Sequence, residues 1–200
     1  MKKIKVGFLP FYIKLYDDSN PHYRDPMVDY SNMMVHMLES QGLEVIKADE
    51  VCRIKPEFER AVEKFNREDV AAVITQHLAY SPSLESIDAL LTLKAPIIVL
   101  DTTVDYDLIR SANIERRISA NHGIHGVQDM CNLLKRNGKP YYICAGHALH
   151  SEVISETAGM CRAAAAAKAY QNARVGSVGG SFTGMGDFLV SDERYQNDIG

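Results

Sequence analysis

No two cysteines in this sequence stand at the C-x-x-C spacing. Cys52, Cys131, Cys144 and Cys161 lie far apart, which argues against a zinc knuckle and gives no sign of a disulfide scaffold. They are expected as buried, reduced thiols. No apolar run approaches the roughly 20 residues that cross a bilayer, so the chain reads as soluble with no membrane partner. The basic start Met1-Lys2-Lys3 leads only into a short apolar run that meets Pro10, with no small-residue cleavage site behind it, and the cytoplasm is the expected location. An excess of one charge is also missing: 22 Lys and Arg against 26 Asp and Glu give a formal net charge of -4. The basic residues are scattered singly, not gathered into a stripe that could follow a phosphate backbone, so nucleic acid is not an expected partner. There is no internal repeat and no low-complexity linker.

What is present is the balance of a globular protein, with 46% hydrophobic and 24% charged residues in 200, enough for one domain and the start of another. Short apolar runs alternate with amphipathic stretches from the first residues onward, the pattern of βαβ units around a parallel sheet. Strands are predicted at Ile4–Leu9, Leu43–Ile46, Val70–Thr75, Pro96–Leu100 and Tyr141–Ala145. Helices are predicted from Asp25 to Gly42, Pro56 to Asn66, Ser83 to Leu93, about Ile114 to Arg136, and Ser151 to Gln171. Pro10 is expected to close the first strand, with a polar loop then running to about Asp25. Five strands and five helices predict an α/β, flavodoxin-like doubly wound parallel five-stranded sheet in the order 2-1-3-4-5 over residues 1–171. A sixth strand from Arg174 to Val178 and the glycine-rich stretch after it read as the truncated start of a second α/β domain over 172–200.

Ligands of an open α/β sheet collect at the carboxyl ends of its strands. The loops there carry Phe11-Tyr12-Ile13-Lys14-Leu15-Tyr16, Gln76-His77-Leu78-Ala79-Tyr80-Ser81-Pro82, Asp101-Thr102-Thr103 and Gly146-His147-Ala148-Leu149-His150. Converging polar and aromatic groups suit a sugar, whose hydroxyls need donors and acceptors and whose apolar face packs on a ring. The alternative for any one of these residues is a solvated connection. In Asn121-His122-Gly123-Ile124-His125-Gly126, two histidines three residues apart can share a helix face. No carboxylate or cysteine is read at matching spacing, so a polar contact to a ligand or a neighbouring subunit is expected there in place of a metal. The stretch from Gly176 to Gly186 has neither G-x-G-x-x-G nor a P-loop lysine, and no serine sits in a G-x-S-x-G elbow.

The His77–Pro82 loop, the Asn121–Gly126 segment, and Arg174-Val175-Gly176 leading to Gly184-Met185-Gly186-Asp187-Phe188 together resemble, in order and spacing, the amino-terminal region of the L-fucose/L-arabinose isomerase family. The resemblance implies an aldose–ketose isomerase that uses Mn²⁺, an enediol intermediate and paired acids. The metal ligands and those acids belong to later domains of the family's chains, so these 200 residues are expected to be inactive alone and to hold no metal. It further implies a homo-oligomer, a trimer or hexamer, in which this domain covers a neighbour's active site. His125 matches the family's pocket histidine, and Tyr80 the aromatic wall after strand three. Lys14 and Leu15 match the first loop, Met185 falls where a pocket methionine occurs, and His77 joins the substrate-binding set. Arabinose isomerases place glutamine and histidine in the first loop, where this chain has Ile13 and Lys14, a departure that bears on which sugar is preferred. The rival reading is a non-catalytic small-molecule-binding or sensor module of flavodoxin-like or periplasmic-binding-like fold.

Overall fold

In a computed structural model, which describes residues 3–110, 117–174, 176, 178–179, 182–186 and 190–198, five strands alternate with helices. The strands are β1 (Ile4–Phe11), β2 (Leu43–Lys47), β3 (Val73–His77), β4 (Ile97–Asp101) and β5 (Tyr141–Ala145). The helices are α1 (Lys14–Ser19), α2 (Asp25–Ser40), α3 (Lys55–Arg67), α4 (Ser83–Leu91), α5 (Gly123–Arg136), α6 (Val153–Gln171) and α7 (Asp192–Asp198), with 3-10 turns at Pro21–Tyr23 and Leu108–Arg110. Every pairing is parallel and the order is β2-β1-β3-β4-β5, so the expected doubly wound α/β architecture is what forms.

Alternation along the strands builds two cores, one on each face of the sheet. Leu9, Phe11, Val73, Ile97 and Val99 face α3, α4 and α5 through Phe58, Phe65, Leu90, Met130 and Leu134. Val6, Phe8, Ile74, Ile98 and Leu100 face α2 and α6 through Met34, Leu38, Val153, Ala158 and Cys161. Gly42 and Gly138, at φ +87° and +68°, end α2 and α5 in the left-handed conformation that costs glycine little. All four cysteines are free and buried. Burial pushes the thiols of Cys52 and Cys161 up to about 12 and that of Cys131 up to about 11. A thiol reagent is therefore expected to leave the native chain untouched and to titrate four groups once urea unfolds it; fast stoichiometric labelling of the native chain would contradict this packing.

Several expected boundaries move. Pro10 does not close β1, which runs on to Phe11. The last β1–β2 partners are Phe8 and Lys47, so the missing N–H of Pro10 falls where β2 has ended. The loop to Asp25 contains α1 and a 3-10 turn. β3 starts later than expected and includes Gln76 and His77, polar residues drawn into the sheet opposite Pro10 and Phe11. The helix expected from Ile114 begins only at Gly123, while 111–116 lie outside the described residues. Residues 117–122 form turns in place of helix, and Asn121 ties them to the loop after β4: its Oδ1 accepts from Asp105 N at 2.9 Å, and its Nδ2 donates to Asp105 Oδ2 at 2.8 Å. Of the strand expected over 174–178, Val175 and Ser177 lie outside the described residues; among the described residues the sheet has five strands. Among the described residues, no helix is long and apolar enough to cross a membrane.

Candidate functional site

The switch point of this strand order lies between the carboxyl ends of β1 and β3, where a flavodoxin-like sheet opens its ligand crevice. Here side chains fill it. Tyr12, Met27, Leu78 and Ala79 form a third apolar cluster, with Tyr16, Tyr30, Val104 and Ala120 packed against it. A void of only about 10 Å³ remains under Tyr12, Tyr23, Met27, Ser119 and Ala120. That holds at most one water. A far larger cavity of about 650 Å³ lies at the opposite end of the sheet, between α6 and the starts of β3, β4 and β5, with Met160, Ala163, Ala164 and Ala167 among its lining. Size alone would favour it. The grouping of chemically versatile side chains favours the other end.

There the end of β3 and the first turns of α5 bring four residues together. The Tyr80 ring lies 5.8 Å from that of His122, and His122 lies 4.3 Å from His125. Tyr80 Oη donates to Asp129 Oδ2 at 3.3 Å, and the same oxygen accepts from Ser83 N at 3.3 Å. Burial and the Asp129 carboxylate raise the Tyr80 pKa above the usual phenol value. Burial, and then the neighbouring His125, lower that of His122. His125 itself is exposed, whereas His122 is half-buried with an unpartnered Nδ1.

The other expected site residues are placed differently. His77, read from sequence as part of a loop, ends β3 with its ring buried and stacked on Phe11 at 4.3 Å. Neither ring nitrogen has a partner, and burial lowers its pKa to about 3. It supports the site from below. Lys14 and Leu15 open α1 on the neighbouring loop: Leu15 is exposed, and the Lys14 ammonium is held by Asp18 at 2.6 Å. Met185 is partly exposed in the stretch 182–186 beyond α6.

Two residues, Asp129 and Tyr106, escape the sequence reading. Asp129 stands four residues beyond His125, so a carboxylate does occur at helical spacing, but its oxygen is engaged by Tyr80 and Ser83. The i,i+4 rule is the signal that finds it. A second ring group also sits on this rim: Tyr106 lies 4.3 Å from His150 and 5.5 Å from His147. Leu149 N donates to His147 Nδ1 at 3.2 Å, which leaves Nε2–H to donate to Val104 O at 3.3 Å.

The loop after β1 is braced by ions. Asp17 accepts from Arg53 Nη1 at 2.8 Å and pairs with Arg24 at 3.1 Å, while Arg53 Nη2 donates to Glu57 Oε1 at 2.7 Å. Glu57 also reaches back to the N–H groups of Arg53 and Ile54, at 2.7 and 3.4 Å. That is half a capping box for α3, since Ile54 has no side-chain acceptor to complete it.

Compared with known proteins, residues 23–172 match the family model of the L-arabinose isomerase N-terminal domain. The match supports the arabinose isomerases and not specifically the fucose isomerases that the sequence resemblance set beside them. No curated protein matches the chain.

Proposed function

The chain belongs to the L-arabinose isomerase N-terminal domain family, and from that premise we propose that it is the amino-terminal part of a Mn²⁺-dependent aldose–ketose isomerase of sugar metabolism. It works in a cytoplasmic homo-oligomer, a trimer or hexamer, where it shapes the sugar pocket of a neighbouring subunit. Residues from 172 onward then open a second α/β domain, a reading supported by the end of α6 at Gln171. Among the described residues no three His, Cys, Asp or Glu side chains converge to hold a metal ion. In this proposal Mn²⁺, whose chemistry is to polarise the sugar's oxygens, would be held by residues of later domains, as the family resemblance implies.

One observation carries the reading: Tyr80, His122, His125 and Asp129 meet at the carboxyl rim of a domain from a sugar-isomerase family. In this proposal the exposed imidazole of His125 gives and takes hydrogen bonds with sugar hydroxyls. Tyr80 offers its ring face, because its hydroxyl proton is already directed at Asp129. Lys14, Leu15 and Met185 complete the wall. The sensor-module alternative loses ground at the switch point, which Tyr12, Met27, Leu78 and Ala79 fill.

The test is His125→Ala in the complete enzyme. One lost hydrogen bond to a neutral hydroxyl costs about 0.5–1.5 kcal/mol, so kcat/KM is expected to fall about threefold to tenfold at unchanged melting temperature. Wild-type kinetics with a lowered melting temperature would assign His125 to the fold alone. The purified chain by itself is expected to isomerise no pentose or hexose when Mn²⁺ is added, and turnover would refute that part of the proposal.

A further inference from the structure

The first two turns of α5 lie unusually close to the end of β3, and two glycines allow it. A methyl group at Gly123 would stand 2.5 Å from the carbonyl oxygen of His77. One at Gly126 would stand 2.6 Å from His77 Cδ2 and 3.0 Å from Ser81 N. Two of these three neighbours are backbone atoms of β3 and the turn after it, which cannot swing aside as a flexible side chain can. Neither glycine has a positive φ, so conformational freedom does not explain them. Inside a helix, where Gly126 lies, glycine costs about 0.5–1 kcal/mol relative to alanine. What they provide is a close seat.

The seat lies directly beneath the ring group. His122 precedes Gly123, His125 precedes Gly126, and Tyr80 precedes Ser81, whose N–H faces Gly126. We propose that Gly123 and Gly126 are positioning residues: they set the height of α5 over the end of β3 and thereby hold His122 against Tyr80, with His125 beside His122. Added bulk at either glycine lifts the first turn of α5. The Tyr80–His122 separation of 5.8 Å then opens, while the strands and the rest of α5, anchored by Val127, Met130 and Leu134, stay in place. The placement requires no sugar. Only its effect on turnover rests on the function proposed above, so the two can fail separately.

The experiment is proton NMR of the 200-residue chain, wild type and Gly126→Ala, with a kinetic arm on the complete enzyme. Wild type is expected to show cross-relaxation between the rings of Tyr80 and His122, and His122 is expected to titrate below the ordinary histidine value of 6.5. In Gly126→Ala the ring contact is lost and the His122 pKa returns toward that value, while cross-strand contacts between β4 and β5 persist. A folded Gly126→Ala that keeps the wild-type ring contact and pKa overturns the proposal. If the single variant does not fold, His77→Ala with Gly126→Ala removes the 2.6 Å side-chain neighbour and leaves Ser81 N at 3.0 Å, so the fold is expected to return with a weakened ring contact; a folded double variant with the full wild-type contact and His122 pKa overturns the proposal equally. In the complete enzyme, Gly126→Ala is expected to raise KM severalfold with little change in kcat. Loss of the ring contact with an unchanged KM would leave the positioning role standing and remove the sugar-contact reading.

Discussion

Glu57→Ala is expected to lower the unfolding free energy by about 3 kcal/mol, through lost charged hydrogen bonds to a guanidinium and an uncapped helix. Glu57 is 5% exposed and binds the Arg53 guanidinium and two backbone N–H groups at the start of α3. Without it, Arg53 keeps Asp17 at 2.8 Å and Glu50 at 3.8 Å but loses its closest carboxylate on Nη2, and the first donors of α3 lose their acceptor. Burial alone would raise the Glu57 pKa; the bonds from Arg53 outweigh it and hold the carboxyl below its usual 4.5. A carboxyl depressed in the folded state stabilises above the unfolded pKa, and that contribution vanishes as pH falls through the folded value. The variant's deficit should therefore be full at pH 7 and shrink progressively as the pH falls below 4.5. The urea midpoint at unchanged slope measures it. As a contrast, the exposed Lys14–Asp18 pair should be removable with no resolvable change. A midpoint for Glu57→Ala equal to wild type would mean that the brace contributes nothing.

Acid should find a second weakness. Between pH 7 and pH 5 the chain is expected to lose about 2 kcal/mol of stability through His77 alone. Buried and stacked on Phe11, His77 stays neutral down to about pH 3, whereas the unfolded residue takes a proton near 6.5. Between those values the unfolded chain binds the extra proton, so stability is full above pH 6.5 and falls toward pH 3. Asp129, the nearest charge acting on it, pulls the other way and is outweighed by burial. His77→Leu removes two nitrogens that have no partners and keeps an apolar side chain under α5. Urea unfolding of both proteins at pH 7 and pH 5 isolates the effect, since every other titrating group is shared. Parallel pH profiles would show that His77 is charged or solvated in the native state.

The sheet was legible in the sequence because its signals are local. β5 was read to the residue, since Gly138 and Pro140 frame a plain apolar run. β3 was misplaced because Val70-Ala71-Ala72 are as apolar as a strand, while Gln76 and His77, polar by type, are held in the sheet beside β1. Only long-range packing decides that. Tyr80 stands out by its type and its place after β3, and His125 by its three-residue spacing from His122 in a helical segment. Asp129 was within reach of helical spacing, but its role depends on Tyr80 arriving from 49 residues away. The burial of His77 follows from two glycines closing a helix over it, a fact of three-dimensional approach that neither glycine announces in sequence.

The all-parallel order β2-β1-β3-β4-β5 also has a meaning in time. Each strand reaches its partner only through a crossover, so no hairpin is available to start folding, and the loop-closure entropy of each pairing comes before its reward. During synthesis β1 emerges first, yet it is an inner strand and waits for β2 and β3 to arrive on either side. The three-stranded half-sheet is complete once His77 has left the ribosome. β4 and β5 then add outward in the order in which they are made. Nothing already formed has to open to admit a later strand, and vectorial synthesis, amino end first, supplies the strands in the sequence that this growth from the middle requires.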